Sequence, residues 1–473
     1  MLLFQRLKNY PDPVEVVNKY GADALRLYLI SSPVVRAESL RFREDGVFDL
    51  VKIVFLPWYH AYRCGIENII RYNTQYNTVF QCSGTSTKLP DSDNLMDQWI
   101  IASLGTLIEF IHIEMKAYRL YTVVPRLLLF IENLTNWYVR TNKRRLKGVN
   151  GQDDCYTALN ILTYVLYQLC RCMAPFTPFI VESMYQNIKT VLQSTEQHDS
   201  IHYIMLPDIQ QSTNHIIERQ VKSMQSVVEL GRNARDNRKI SMKRPLRTIT
   251  VIHKTQQYLD DVQLLSSYVT DELNIENIVF SNDINKHATL TATPNRKLLG
   301  PRLGKSLNEY VQLITELTQS QLNEFDTNGS ITLNGEKFDH NDIETKLQYN
   351  GNATHNEAVY NGDVLIILDC QIDDALQQQY IARELSNRIQ RTRKSSKLNP
   401  SDEINIYIDT TDSTIITCIQ QQQSYIESIL LRPIKLSKQS DISGKVIVTA
   451  ENDIENDDNN KLLFTIILTE PSV

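Results

Sequence analysis

The sequence lacks any apolar run of the roughly 18 residues needed to cross a bilayer, which excludes an integral membrane protein. Its start, Met1-Leu2-Leu3-Phe4, is too short an apolar run for a secretory signal peptide. Its seven cysteines form no CxxC pair, and such an odd, scattered set is typical of free thiols in a reducing compartment. We therefore expect a cytoplasmic protein.

Motifs for catalysis and metal binding are also missing. There is no Gly-x-Ser-x-Gly elbow, no convincing Cys/His pair and no isolated pair of carboxylates. The segment 300–306 resembles a phosphate-binding loop, but its spacing is one residue short and no apolar strand precedes it. His198 and His202 lack the glutamate of a metalloprotease and lie in a loop-like segment. We therefore expect neither a catalytic residue nor a metal site.

The composition is that of a globular protein with several domains. The 473 residues leave room for about three domains, and the 42% of apolar residues exclude wholesale disorder or a fibrous architecture. A formal net charge of −6 excludes a protein that grips nucleic acid through its bulk charge.

The first half of the chain predicts helices. Residues 12–31 predict a helical pair, because Asp12, Pro13 and Glu15 form a start signal and Gly21 interrupts the pattern. Between 94 and 192, apolar residues recur at three- and four-residue steps in four successive segments, and Pro125 is expected in the first turn of the second. Short connections between such helices predict a bundle. Another helix is predicted from 214 to 236.

The second half of the chain predicts a mixture of strands and helices. Runs typical of strands occur at 248–253, 276–280, 331–333, 364–368, 404–408, 445–449 and 462–468. Helical patterns lie at 304–325 and 375–393, and the glutamine-rich 420–423 is interpreted as a loop or exposed helix. The predicted fold class is therefore multidomain: an α-helical bundle followed by mixed α+β modules.

The charge is distributed unevenly. Residues 140–147 carry five basic residues and no acidic one, residues 232–247 carry a net charge of +6, and residues 383–397 carry +5. These 39 residues hold +16 and leave the remaining 434 residues at −22. Concentrated basic segments on an acidic body suit a partner with a polyphosphate backbone.

Each basic segment also has a purely structural interpretation. The first could stabilise a helix end, the second could be a charged linker, and the third could be the solvated face of a helix. Trp137 and Tyr138 precede the first segment and could stack on unpaired bases, although Tyr138 continues an apolar stripe and core packing is favoured.

Five long strings of residues are more specific than any short motif. They are KNYPDPVEVVNKYGADALRLYLISSPVVRAESLRF (8–42), AYRLYTVVPRLLLFIENLTNWYVRTNKRRLKG (117–148), CRCMAPFTPFIVESMYQNIK (170–189), MQSVVELGRNARDNRKISMKRPL (224–246) and ARELSNRIQRTRKSSKLNPSDEINIYI (382–408). Together these strings resemble the eukaryotic cytosolic isoleucyl-tRNA synthetases. The resemblance is to the C-terminal portion of the enzyme and weakens after about residue 410. Valyl- and leucyl-tRNA synthetases share the bundle architecture and are the nearest alternatives.

The resemblance implies a division into domains. Residues 1–48 are expected to connect to a preceding Rossmann catalytic fold, and 49–208 to form the anticodon-binding helical bundle. A linker helix with a first α/β module is expected at 209–300, a second module ending in a basic helix at 301–400, and a β-rich module at 401–473. The bundle and the extension are expected to bind tRNA(Ile). The implied tRNA-binding residues are Arg140, Lys143, Arg144, Arg145, Lys147, Arg388, Arg391, Arg393 and Lys394.

The catalytic signatures of the family, HIGH and KMSKS, are absent. The matching register places the KMSK positions at residues 2–5, which contain no lysine. We therefore expect a fragment that binds tRNA without aminoacylating it, and whose full-length relatives use ATP and magnesium. No membrane or DNA partner is expected. The alternative function is a protein-interaction scaffold that docks onto other synthetases in a multi-synthetase assembly.

Overall fold

The computed structural model describes residues 12–84, 88–209, 213–284, 286–351, 354–398, 402–442, 445–455 and 461–470. The chain divides into two compact units, Met1–Lys222 and Ser223–Val473. The first unit is helical and the second combines helices with small sheets, which confirms the predicted fold class.

The helical unit consists of successive α-helices. They are α1 (Pro13–Tyr20), α2 (Ala22–Ser31), α3 (Glu44–Leu50), α4 (Leu56–Tyr76), α5 (Leu95–Lys116), α6 (Leu120–Glu132), α7 (Lys143–Leu146), α8 (Gln152–Met173), α9 (Pro178–Ile188) and α10 (His215–Asn237), the last of which contains the boundary between the units. Val51–Phe55 and Asn133–Val139 are π-helical.

The predicted helical pair at the start is present as α1 and α2. The Asp12 carboxylate accepts a hydrogen bond from the backbone N–H of Val14 at 2.9 Å, and Pro13 occupies the first helical position. Gly21 separates the helices with φ 88°, a backbone conformation that favours glycine.

Helix α8 forms the centre of the helical unit, because its side chains are buried on all sides over most of its length. Helix α4 packs against it and lies outside the segments in which helices were predicted. Its inward positions repeat at helical spacing and are Trp58, Ala61, Tyr62, Gly65, Asn68, Ile69 and Tyr72. Since a glycine and an asparagine occupy two of these positions, an apolar pattern alone does not reveal the helix.

Helix α6 differs from the prediction at both ends. It begins at Leu120, so Pro125 lies in its second turn and not in its first, where it removes the backbone donor for the carbonyl of Tyr121. The apolar stripe expected to continue as one α-helix passes instead through the π-helical turn Asn133–Val139.

The second unit combines strands with helices. The strands are β1 (Leu246–Ile252), β2 (Ile275–Ser281), β3 (Ala288–Pro294), β4 (Ser330–Leu333), β5 (Glu336–Asp339), β6 (Ile343–Tyr349), β7 (Asn356–Tyr360), β8 (Leu365–Asp369), β9 (Asn405–Asp409), β10 (Ile434–Leu436), β11 (Val446–Glu455) and β12 (Lys461–Thr469). The helices that follow α10 are α11 (Gln256–Leu264), α12 (Ser266–Leu273), α13 (Arg296–Leu303), α14 (Leu307–Thr315), α15 (Gln319–Asn328), α16 (Asp374–Ser395) and α17 (Ser413–Leu430).

The strands form small, separate sheets. Within the described ranges the strand orders are β2-β1-β8-β7, β10-β9-β12-β11, β3-β6 and β4-β5. Strands β1 and β2 are parallel, as are β9 and β10, and the other pairs are antiparallel. One apolar core lies between α16, α17 and the sheet that contains β9 and β12.

Every strand-like run predicted from the sequence overlaps a strand, but β3, β5, β6, β7 and β10 were not predicted. Strand β10 has only three residues. The other four strands contain many polar or half-buried residues, so they lack the apolar runs from which strands were predicted. The helix predicted at 304–325 divides into α14 and α15, because Thr318 caps the second helix through a capping box with Gln321. Residues 420–423 lie inside α17.

Candidate nucleic-acid interface

The first basic segment forms a short turn in the helical unit that contains α7 and leads into α8. The side chains of Arg140, Lys143, Arg144 and Lys147 are exposed on it. Cationic side chains so close together in sequence create a local positive potential that the net charge of the chain conceals.

Arg145 belongs to the same turn but points into the protein. It is 8% exposed and donates to both carboxylate oxygens of Asp97 at 3.0 Å, to Asp154 at 2.6 Å and to the side-chain oxygen of Asn142 at 2.7 Å. Burial acts to lower the pKa of Arg145, but the hydrogen bonds and charge of Asp97 and Asp154 outweigh it and raise the pKa above its usual range. The guanidinium is thus held charged between two carboxylates.

Arg145, predicted from the sequence as a tRNA contact, is thus buried and paired in the structure, unlike its exposed neighbours. Its donors are committed to carboxylates from α5 and α8, so its role is to hold the turn in place. The sequence could not show this, because the partners lie far away in sequence and Arg145 is flanked by exposed cations. Tyr138 also donates to Asp97, at 2.8 Å, and both Tyr138 and Trp137 are buried, as core packing requires.

The structure adds Arg71, on α4, to this surface. The pKa of Lys147 is lowered, first by partial burial and then by the positive charges of Lys143 and Arg71, so both of these side chains lie near Lys147. Arg71 is exposed and donates to Asn68 at 2.6 Å. No signal in the sequence connected Arg71 with residues 140–147. We call Arg71, Arg140, Lys143, Arg144 and Lys147 the turn surface.

The third basic segment lies on the C-terminal half of α16, in the second unit. Arg391 and Lys394 are exposed, whereas Arg388 is half-buried and donates to the backbone oxygen of Asp453 at 3.1 Å. Arg393 is buried and donates to the backbone oxygen of Leu430 at the end of α17. The structure thus divides the expected contacts: Arg393 is turned inward, and only Arg391 and Lys394 are fully accessible.

A cavity of about 650 Å³ opens beside this helix end. The charged side chains that line it are Lys243, Arg391, Arg393 and Lys394. Lys243 belongs to the second basic segment, so folding brings cations from two separate segments of the sequence to one concave surface.

The rest of the second basic segment is used internally by its unit. Arg232 pairs with Glu272 at 2.6 Å and Arg238 with Glu357 at 2.8 Å. Arg235 is fully buried and donates to backbone oxygens of the loop before β1 and of the end of α12, at 2.7 to 3.2 Å. Burial lowers the pKa of Arg235 to about 10, which still leaves it charged at neutral pH. Most of this segment is therefore structural.

The remaining patterns noted in the sequence are the histidine pair, the loop at 300–306 and residues 2–5. His202 lies with Nε2 3.1 Å from the backbone oxygen of Pro178, and within the described ranges no three His, Cys, Asp or Glu side chains are grouped to hold a metal ion. Gly304–Ser306 is a short 3₁₀ turn between two helices. Residues 2–5 lie outside the described residues. Across the part of the chain that the structure describes, no helix is both long and apolar enough to cross a bilayer.

Comparison with known proteins places these features in a family. Residues 97–250 match the anticodon-binding domain of tRNA ligase, and residues 3–41 match the class I tRNA synthetases of the I, L, M and V group. The chain is 46% identical over 463 residues to the probable cytoplasmic isoleucine–tRNA ligase of Dictyostelium discoideum, and 42% identical over 442 residues to the cytoplasmic isoleucine–tRNA ligase of Mus musculus. These matches cover 95% and 91% of the chain. The chain belongs to the isoleucine–tRNA ligase family.

The chain spans less than half the length of the isoleucine–tRNA ligases that it matches. The chain spans 43% of the Dictyostelium ligase and 35% of the mouse ligase. The 42% identical ligase of Arabidopsis thaliana is likewise covered over 36% of its length. The residues that match the anticodon-binding domain, 97–250, include four members of the turn surface: Arg140, Lys143, Arg144 and Lys147.

Proposed function

We propose that this chain is a cytoplasmic, tRNA-binding part of an isoleucine–tRNA ligase and that its turn surface contacts the anticodon end of tRNA(Ile). The observation that carries the proposal is the exposed cluster of Arg71, Arg140, Lys143, Arg144 and Lys147, most of it within the residues that match an anticodon-binding domain. Cations at such density bind a phosphate backbone by releasing its counterions, and they attract it over a distance set by the salt concentration.

The turn surface also suits RNA because its backbone is held in place before binding. Arg145 ties the turn to Asp97 and Asp154, while the neighbouring cations remain at the surface. A preorganised surface loses less conformational entropy when it binds.

The second unit supplies further contacts in this proposal. The bundle at 49–208 holds the anticodon end, and the module at 301–400 adds Arg391 and Lys394, with Arg388 beside them on α16. The segment 1–48 connects to the catalytic fold, 209–300 provides the linker helix and a first module, and 401–473 forms a β-rich module. Arg393 supports the position of the helix end and does not reach the RNA.

The reaction of the family, ATP-dependent attachment of isoleucine to tRNA, is not assigned to the residues of this chain. We expect the purified chain to bind tRNA and to show no isoleucine-dependent exchange of pyrophosphate into ATP.

The test is charge reversal on the turn surface. The variant Lys143→Glu/Arg144→Glu is compared with Lys52→Glu/Arg126→Glu, which makes the same charge change at exposed positions elsewhere in the helical unit. Affinity for a tRNA(Ile) transcript is measured at salt concentrations from about 50 to 200 mM. Each lost phosphate contact is expected to reduce the slope of log affinity against log salt by about 1, so the first variant loses about 2 in slope and roughly tenfold or more in affinity.

Equal effects of the two variants would contradict a specific turn surface. Unchanged affinity and slope in Lys143→Glu/Arg144→Glu would show that these residues are only a solvated helix end.

A second candidate function, docking onto other synthetases, is favoured by an apolar groove of about 790 Å³ in the helical unit. Phe55 and Phe179 line it, and Phe179 is 67% exposed. Titration with tRNA at physiological salt separates the candidates, because a scaffold would bind all tRNAs weakly and alike.

A further inference from the structure

The cavity beside α16 has the size and walls of a ligand pocket. It lies where the C-terminal ends of α16 and α17 meet, and its volume of about 650 Å³ is typical of sites for small organic ligands. Its lining combines cationic side chains with apolar ones, so the two kinds of wall can bind different parts of one ligand.

One wall of the cavity is formed by Lys243, Arg391, Arg393 and Lys394 and has a net positive charge. Arg391 and Lys394 are exposed, and Lys243 pairs with Glu384 at 2.9 Å. The buried Arg393 donates to the backbone oxygen of Leu430 at the end of α17. Burial, and then the nearby positive charge of Arg432, lowers the pKa of Arg393. Glu384 acts on Lys243, and Asp402 acts on Arg393, as negative charges beside this group. The excess of positive charge favours an anionic ligand.

The apolar wall contains Leu398 and Leu431. Leu431 is 74% exposed and adopts φ 54° at the end of α17, where glycine is the usual residue. A branched side chain in the left-handed region is unfavourable, and an exposed leucine gains nothing from burial in return. Its side chain therefore places apolar surface at the pocket where the local backbone would favour glycine.

We infer that this pocket binds one nucleotide, with its phosphate at Lys243, Arg391 and Lys394 and its base against Leu398 and Leu431. Guanidinium and ammonium groups bind phosphate through charge-assisted hydrogen bonds, and the flat face of a base is apolar enough to cover the leucines. The nucleotide can belong to an RNA strand or be free in solution. The first source rests on the proposed function, whereas the second is independent of it.

The test measures binding of four ligands to the whole chain. They are adenosine 5′-monophosphate, adenosine, a single-stranded hexauridylate and a tRNA(Ile) transcript. The variant Arg391→Glu/Lys394→Glu is compared with Lys297→Glu/Lys305→Glu, which makes the same charge change at exposed positions of the same unit outside the pocket. Loss of the phosphate contacts is expected to weaken binding by about tenfold or more in the first variant and less than about twofold in the control.

A second variant tests the apolar wall without altering charge. Leu431→Asn is compatible with a positive φ, so we expect an unchanged thermal unfolding midpoint. We expect weaker binding of adenosine 5′-monophosphate or of the hexauridylate. Unchanged affinity for both ligands would overturn the base contact.

The outcomes distinguish the source of the nucleotide. Weaker binding of the monophosphate, with adenosine binding much more weakly than the monophosphate to the unmodified chain, supports a site for free nucleotides. Weaker binding of the hexauridylate and tRNA alone, in Leu431→Asn as well as in the charge-reversal variant, supports a nucleotide of an RNA strand. Unchanged binding of every ligand, or equal loss in the control, overturns the inference. Reversal at Lys143 and Arg144 reports separately on the proposed function, so either proposal can fail while the other stands.

Discussion

Replacing Arg145 with methionine tests whether the turn surface depends on a buried network of charges. The change removes four hydrogen bonds to Asp97, Asp154 and Asn142 and preserves the bulk of an unbranched side chain. It leaves the carboxylate of Asp97 fully buried, with hydrogen bonds from Tyr138 at 2.8 Å and Ser92 at 2.6 Å but without a positive charge beside it. An uncompensated buried charge is among the most destabilising defects in a protein.

The structure supports a large effect on stability. Removal of one partner from a buried ion pair costs about 3–5 kcal/mol of unfolding free energy. For a unit of this size, each kcal/mol lowers the unfolding midpoint by roughly 2–4 °C, so Arg145→Met is expected to lower it by about 6–20 °C. The neighbouring Arg144 is exposed, and Arg144→Met is expected to change the unfolding free energy by no more than about 0.5 kcal/mol.

Urea and thermal unfolding of the two variants, with tRNA affinity measured at a temperature where both are folded, check this prediction. The variant Asp97→Asn and the double variant complete a mutant cycle, in which the double variant should be markedly more stable than the sum of the single losses predicts. A loss below about 1 kcal/mol in Arg145→Met, or strict additivity in the cycle, would refute the argument for a structural role. So would a large loss of tRNA affinity in folded Arg145→Met without any change in stability.

Two predictions concern the second unit. Arg235→Leu is expected to lower the free energy of unfolding in urea by roughly 3 kcal/mol, because backbone oxygens of Ser241, Arg244 and Leu273 lose their donors. The control Arg296→Leu changes an exposed residue and should change the unfolding free energy by less than about 0.5 kcal/mol. An equally small effect of Arg235→Leu would contradict the structural role of Arg235. Burial acts to raise the pKa of Glu384, but Lys243 and Asn387 lower it below its usual 4.5. A carboxyl group with a lowered pKa stabilises the fold at pH values above its pKa in the unfolded state, so the contribution of Glu384 should fade as the pH falls below about 4.5. The unfolding free energy of Glu384→Gln, measured between about pH 3 and 7, should lack this part of the decline. Parallel pH profiles of the variant and the unmodified chain would contradict the prediction.

Sequence patterns predicted the fold where apolar residues alone decide the structure. The stripe of α8 and the strand-like runs of β1, β8 and β12 have this character, and each lies as predicted or nearly so. Prediction failed where an inward position is filled by something other than an apolar residue. In α4 these positions include Gly65 and Asn68, and in β6 the alternation is mainly polar.

The candidate site was predictable in outline and not in detail. Runs of basic residues are visible in the sequence, and the structure leaves Arg140, Lys143, Arg144 and Lys147 of the first run exposed. Whether a cation faces solvent or a carboxylate depends on partners brought together only by folding. For this reason the sequence did not predict that Arg145 and Arg393 are buried. Nor did it predict that Arg71 lies near Lys147, or that Lys243 lines the cavity beside α16.

Under the proposed function, the ion pairs of Arg145 link the affinity of the turn surface for RNA to the stability of the fold. Asp97 and Asp154 belong to α5 and α8, the buried framework of the helical unit, so the turn is ordered when that framework forms. The ordering entropy of the turn is then lost during folding and not during association. If the turn surface binds tRNA as proposed, substitutions deep in the framework lower the affinity by lowering the fraction of molecules whose turn is ordered. By the same linkage, bound tRNA stabilises that framework against unfolding.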